Sequence, residues 1–173
     1  MNMTKEVLTK DELFTTIDDT VKQYVHLTSS LDENDINKIP YANSWTAGQL
    51  LRHVTKSTNG MAGAMLAPSK PAGRSSSEKV HHLRKTFLDF SQKMQSPEFI
   101  VPEDETYHPQ TAIDAMLQSF EKLKENTNKA NLDELLEGLP FGPTTKLELL
   151  HFVLYHTERH LHQMRRISAA LKQ

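Results

Sequence analysis

The stretch TKLELLHFVLYHTERHLHQMRRISAAL, Thr145 to Leu171, decides the fold. No proline or glycine interrupts it, and its apolar residues recur every three or four positions. That is the pattern of a long helix with one face turned to a core. Thr145 and Glu148 have capping-box spacing, which predicts a helix from Lys146 to about Leu171. Advancing roughly 100° per residue from Leu147 places Phe152, Leu149 and Val153 between about 140° and 240°. On the same wheel His156 and His160 fall at about 180° and 220°, inside this apolar arc, with Ile167 at about 200°. His151 and His162 fall at about 40° and 60°, beside Glu148, Tyr155, Glu158, Arg159, Arg165 and Arg166. The phase therefore predicts two inward histidines, His156 and His160, and two outward ones, His151 and His162.

Working outward from this helix, the other segments repeat the pattern. Lys10 to Thr28 carries Leu13, Ile17, Val21 and Tyr24 on one face behind a Thr9/Glu12 capping box. A second helix begins near Trp45 or Thr46 and runs through QLLRHVTKSTNGMAGAML, with Leu50, Val54, Met61 and Met65 inward. After the breaker-rich linker APSKPAGRSSS, Ser75 and Glu78 predict a cap for a helix with a Val80, Leu83, Phe87, Phe90, Met94 stripe. The proline-bearing stretch SPEFIVPEDETYHP argues against regular structure. Pro109 suits the first turn of a further helix, where Ile113, Met116, Leu117, Phe120 and Leu123 face inward. NLDELLEGLPFGP is read as room for one short helical turn, and no connector alternates like a strand. The expectation is an all-α chain: a four-helix bundle with one or two extra short helices, forming a single domain over residues 1–173.

Composition narrows the function. The 173 residues carry a formal net charge of −2, which argues against a nucleic-acid partner, since neutralising phosphates wants a basic excess. No apolar run approaches the roughly 20 residues of a membrane span. The first residues, MNMTKEVLTKDELF, lack the apolar core of a signal peptide, so the expected location is cytoplasmic. There are no cysteines, which excludes disulfides, thiolate metal sites and a cysteine nucleophile.

His156 and His160, at i and i+4, project from one side of a helix and can share a metal ion, given a third ligand. The plainer reading is a pair of core histidines, each satisfied by a hydrogen bond. His53 is the candidate third ligand. It lies on a line with Leu50, Ser57, Gly60 and Ala64, and the last three are small enough to leave a cleft. The same small residues would equally allow close helix packing. HTERH differs from the zinc-protease HExxH because its Glu158 comes one place late, about 100° round the helix, and cannot act as that motif's base. Three E-x-x-H pairs have the spacing used in di-iron bundles but lack the placement. Glu148/His151 is assigned to the solvent side, Glu105/His108 to a proline-rich loop, and Glu78/His81 falls off its apolar stripe.

SWTAGQLLRHVTKS early in the chain and LLHFVLYHTERHLHQMRRI at its end resemble the DinB-like superfamily. In that family a helix opening near a Trp carries one His, and the last long helix carries H-x3-H. The resemblance extends over nearly the whole chain in helix order, and it maps metal ligands onto His53, His156 and His160. It implies a four-helix bundle, often a homodimer, with a divalent metal such as zinc or nickel. It also implies relatives that are S-transferases or an isomerase dependent on bacillithiol, mycothiol or glutathione. Three neutral imidazoles leave open positions on a metal, the arrangement of catalytic sites. The expected function is therefore a thiol-dependent S-transferase acting on an electrophilic substrate, or a metal-dependent hydrolase. A non-catalytic metal-binding or interaction bundle is the alternative. Gln163, one turn after His160, is the candidate to orient a ligand or hydrogen-bond a histidine.

Overall fold

Three capping boxes start three of the four long helices in the computed structural model, which describes residues 6–172. The ends of the expected 1–173 unit, Met1–Lys5 and Gln173, lie outside the described residues. Helix α1 spans Lys10–Thr28 and begins with Thr9 and Glu12 bonded reciprocally. Helix α3, Ala47–Met65, begins the same way: the Gln49 N–H donates to Thr46 Oγ1 at 3.1 Å and the Thr46 N–H to Gln49 Oε1 at 3.0 Å. Helix α6, Lys146–Leu171, is opened by Thr145 and Glu148. In each case two backbone donors that helix geometry leaves orphaned are satisfied, so the start is fixed by three residues of sequence. Helix α5, Pro109–Thr127, starts on a proline whose missing N–H costs nothing there. The short helix α2, Glu33–Asn37, lies between α1 and α3, with Asp32 accepting from two backbone N–H groups.

These elements form a four-helix bundle. Helix α3 packs on α5 and α6, and α1 packs on α6 and α5, which closes the ring. Leu13, Ile17, Leu50, Val54, Met116, Leu123, Leu149 and Ile167 are buried between them. A tight approach at the start of α3 depends on a glycine. A Cβ on Gly48 would sit 2.6 Å from the side chain of Tyr107, which the loop before α5 packs there. Among the described residues, no helix is long and apolar enough to cross a membrane.

Four sequence expectations need correction. The helix after the serine-rich linker, α4, covers only Val80–Phe87 and packs on α6, and Ser75 and Glu78 do not cap it. It stops because Asp89 turns the chain, its carboxylate accepting from the Ser91 N–H and from the side chains of Ser91 and Gln92. The Arg159 guanidinium takes the carbonyls of Phe87 and Asp89, which a continuing helix would have used. Phe90 and Met94 are therefore not an apolar stripe; they are 44% and 40% exposed. Leu117 on α5, expected inward, is also exposed.

The connector NLDELLEGLPFGP holds a strand rather than a helical turn. Strands β1 (Lys70–Pro71), β2 (Glu134–Leu136) and β3 (Thr144–Thr145) form a small antiparallel sheet, with Lys70 opposite Leu135 and Leu136 opposite Thr144. The last correction concerns α6, whose residues from Glu148 to Thr157 are all buried. Glu148, His151 and Tyr155, predicted outward, are covered because α1, α3, α4 and the sheet surround this half of the helix. A helix enclosed on every side has no solvent face for a polar arc to mark.

Candidate functional site

His156 and His160 lie one turn apart on α6, and His53 lies two turns into α3, where the Thr46 cap fixes its position. Because α3 packs on α6, the three imidazoles meet. His53 Nε2 is 3.0 Å from His160 Nε2 and 3.3 Å from His156 Nε2, and the latter two are 3.2 Å apart. Among the described residues, these three form the cluster able to hold a metal ion.

The outer nitrogens decide what the inner ones can do. His53 Nδ1–H donates to the Ile100 carbonyl at 2.9 Å, and His160 Nδ1–H donates to Gln163 Oε1 at 3.0 Å. A neutral imidazole with its proton on Nδ1 carries a bare lone pair on Nε2. The rings are neutral at ordinary pH. Burial holds His53 below the usual histidine range, and it pushes His160 down to about 3 despite the Gln163 bond. Burial, followed by the neighbouring His160 and His53, holds His156 well below that range as well. Two lone pairs thus face each other at 3.0 Å with no proton between them. Left so, they repel; a divalent cation set among them converts the repulsion into three bonds. Ligands at about 2.0–2.1 Å on a tetrahedral ion lie roughly 3.3–3.4 Å apart, close to the spacing observed. The residues present fit a divalent metal.

The triad opens onto a cavity of about 1150 Å³. Trp45 stands over His53 with ring centroids 4.9 Å apart, and Phe152 flanks His156 at 5.3 Å. Ser57 and Gly60 line the cavity as their small size suggests, whereas Ala64 packs against the core instead. A Cβ on Gly60 would meet nothing within 4 Å. Gln163, read as a candidate for orienting a histidine, bonds His160 and also lines the cavity.

Sequence reasoning missed two supports. The Ile100 carbonyl, which sets the His53 tautomer, belongs to a 3-10 turn at Glu98–Ile100 inside the proline-bearing loop. A backbone acceptor leaves no mark in a sequence. Arg159, placed on the polar arc, anchors the loop after α4 through carbonyls of Phe87, Asp89 and Gln92; its adjacency to His160 was the available signal.

His151 joins none of this. It is fully buried, but its Nδ1–H donates to the Leu147 carbonyl at 3.0 Å and its Nε2 accepts from the Leu8 N–H at 3.1 Å. His162 is half-buried and stacks on Phe90, 4.3 Å between centroids. His81 and His108, from the other E-x-x-H pairs, are exposed.

A family model described as the DinB superfamily matches residues 16–164, a span that includes all three histidines and Gln163. No curated protein matches the chain. Two solved structures are similar in fold. One is TT2238, a four-helix bundle protein, at 16% identity and a TM-score of 0.60, covering 91% of this chain and 98% of its own. The other is YfiT from Bacillus subtilis, described as "a probable metal-dependent hydrolase with an unusual four-helix bundle topology". It shares 8% identity at a TM-score of 0.62, covering 97% of this chain and 92% of its own.

Proposed function

The chain belongs to the DinB superfamily, and we propose that it is a metal-dependent enzyme whose His53, His156 and His160 hold one divalent ion, zinc or nickel, at the foot of the cavity. The observation that carries this reading is the convergence of three Nε2 atoms within 3.3 Å, with Nδ1 of His53 and His160 each committed to an oxygen acceptor. A divalent ion on three neutral ligands supplies Lewis acidity at open positions, which lowers the pKa of a thiol or a water there.

The chain's own residues supply everything else. Ile100 and Gln163 orient His53 and His160, and so fix which nitrogen faces inward. Phe87, Phe141 and Phe152 pack edge and face around the site and exclude water from one wall. The cavity is larger than a single small substrate needs, since pockets of about 300–1,000 Å³ hold drug-sized ligands. With no cysteine in the chain, a reactive sulfur has to arrive as a cosubstrate. Room for two molecules supports transfer of a small-molecule thiol to an electrophile as the leading chemistry. The fold likeness to YfiT, described as a metal-dependent hydrolase, supports hydrolysis as the second reading.

Metal content by elemental analysis, on the wild-type protein and on His53→Ala, tests the site. One ion per chain in the first and none in the second is expected. Metal-loaded and metal-free protein are then mixed with glutathione or bacillithiol and an α,β-unsaturated acceptor. Metal-dependent conjugation supports the transferase. Metal-dependent ester cleavage without thiol supports the hydrolase. Neither, in a metal-loaded protein, overturns catalysis and leaves a binding bundle.

A further inference from the structure

The chain has slightly more acidic than basic residues, 22 against 20, yet among the described residues no aspartate or glutamate lines the cavity. Its charged lining is Lys56, Lys93, Arg159 and Arg166. One of these has a carboxylate partner: Lys56 pairs with Glu103 at 3.0 Å, which it shares with Arg52. Arg159 is held by backbone carbonyls, which fix its guanidinium without cancelling its charge. Asp89, the carboxylate near it, is occupied by Ser91 and Gln92 and stays outside the cavity wall. Arg166 lies over the Tyr41 ring at 5.4 Å, and neither it nor Lys93 has an ion-pair partner among the described residues.

Arg166 has a defined place with respect to the triad, and Lys93 lines the same cavity. On α6, His156, His160, Gln163 and Arg166 follow at spacings of four, three and three and all line the cavity, with Arg166 turned roughly 120° from His160 toward solvent. Arg166 lies six positions after His160, about 9 Å of helix rise. Between these ends Phe90 stacks on His162, with Phe99 also exposed at the rim, and Tyr41 lies under Arg166, whereas Phe152, with Phe87 and Phe141 packed on it, lies on the other side of the triad. A molecule lying between these ends meets the histidines at one, rings at its middle and a guanidinium at the other.

We propose that the cavity selects small organic anions with an apolar body, the anionic end bound by Arg166 and Lys93 and the reacting end delivered to the histidine triad. The triad end rests on the metal-dependent reading above; the anion end does not, because these two cations stand without a metal. A guanidinium facing a carboxylate gives charge-assisted, bidentate hydrogen bonds, and an amide of the same shape cannot repeat them. Arg166 and Lys93 are thus the residues that set specificity.

Trp45 provides the readout, since it is the single tryptophan of the chain and lines the cavity. Its fluorescence is followed while metal-free protein is titrated with phenylhexanoate, the neutral phenylhexanamide and the cationic phenylhexylamine. The carboxylate is expected to bind about tenfold more tightly than the amide, with the amine weakest. In the Arg166→Gln/Lys93→Gln double variant, whose three histidines are intact, this preference is expected to vanish while the amide binds as before. Equal binding of acid and amide by the wild type overturns the proposal. So does a preference that survives in the double variant. A carboxylate that binds only after metal loading also overturns it, because the ion is then the receptor, and the metal-dependent reading stands alone. Anion preference in a protein that takes up no metal leaves this proposal standing and removes the other.

Discussion

His151 and His160 sit nine residues apart on one helix, both buried, and they have opposite fates. Each donates from Nδ1 to an oxygen, so each presents its Nε2 lone pair to the interior. At His151 that lone pair meets the Leu8 N–H, and the ring is spent tying the segment before α1 to α6. At His160 it meets the lone pair of His53 at 3.0 Å and the Nε2 of His156 at 3.2 Å, beside an open cavity. Burial is therefore no guide to which histidine is chemical. What separates them is whether the protein itself supplies a donor to the inward nitrogen.

The sharpest way to break this comparison is to remove the rings one at a time. His156→Ala and His160→Ala are expected to reduce bound metal from about one ion per chain to almost none, because two imidazoles rarely hold a labile divalent ion. His151→Ala should keep its metal and lose about 2–3 kcal/mol of stability, from an orphaned buried N–H and a small cavity. Elemental analysis beside denaturant unfolding checks both. Metal loss in His151→Ala would collapse the distinction.

The next largest effect belongs to Glu148, also in the enclosed half of α6. Its buried carboxylate accepts from both nitrogens of the Arg74 fork, at 2.6 and 2.8 Å, and from the N–H groups of Lys79 and Thr145. Glu148→Gln leaves Arg74 with only the exposed Glu78, 3.8 Å away, as a counter-charge and is expected to cost about 3 kcal/mol, with metal content unchanged. Burial alone would raise this carboxyl's pKa, but Arg74 and the two backbone donors outweigh it and hold the group below the usual carboxylate range. A depressed carboxyl stabilises the fold fully above its unfolded pKa, and that contribution is lost as pH falls through the folded value. Acid unfolding of the wild type below about pH 4.5 should therefore be flattened in Glu148→Gln, as read by midpoints across a pH series.

A milder contrast concerns the whole site. The apolar faces of α1, α3, α5 and α6 should suffice for a core, so chelated protein is expected to keep its helical circular dichroism. Added metal then raises Tm by mass action, worth about 2.7 kcal/mol at a hundredfold excess over Kd. Loss of helicity on chelation would make the triad as structural as His151. The smallest expected effect is at Gln163. Gln163→Ala frees His160 Nδ1 and should weaken metal binding about 10- to 100-fold without changing stoichiometry. Competition with a chromophoric chelator measures it.

Much of the fold was legible in the sequence because helix starts and apolar periods are local. The Thr9/Glu12 and Thr145/Glu148 pairs each place a start from residues three apart, the start of α3 was read only as near Trp45 or Thr46, and the stripes of α1, α3 and α5 follow with one exception, Leu117. The phase of α6 likewise brought His156 and His160 inward, and a line of small residues pointed to His53. Tertiary structure decided the rest. Periodicity assigns a solvent face only where there is solvent, and the first half of α6 has none, so Glu148, His151 and Tyr155 went inside with partners the sequence could not show. The Ile100 carbonyl that fixes His53, the Arg159 clamp that helps end α4, and the acid-free lining of the cavity all join residues tens of positions apart. A residue's own code carries its propensity and its phase. Which neighbour fills its last hydrogen bond depends on how the helices pack, and here that last bond separates a structural histidine from the triad.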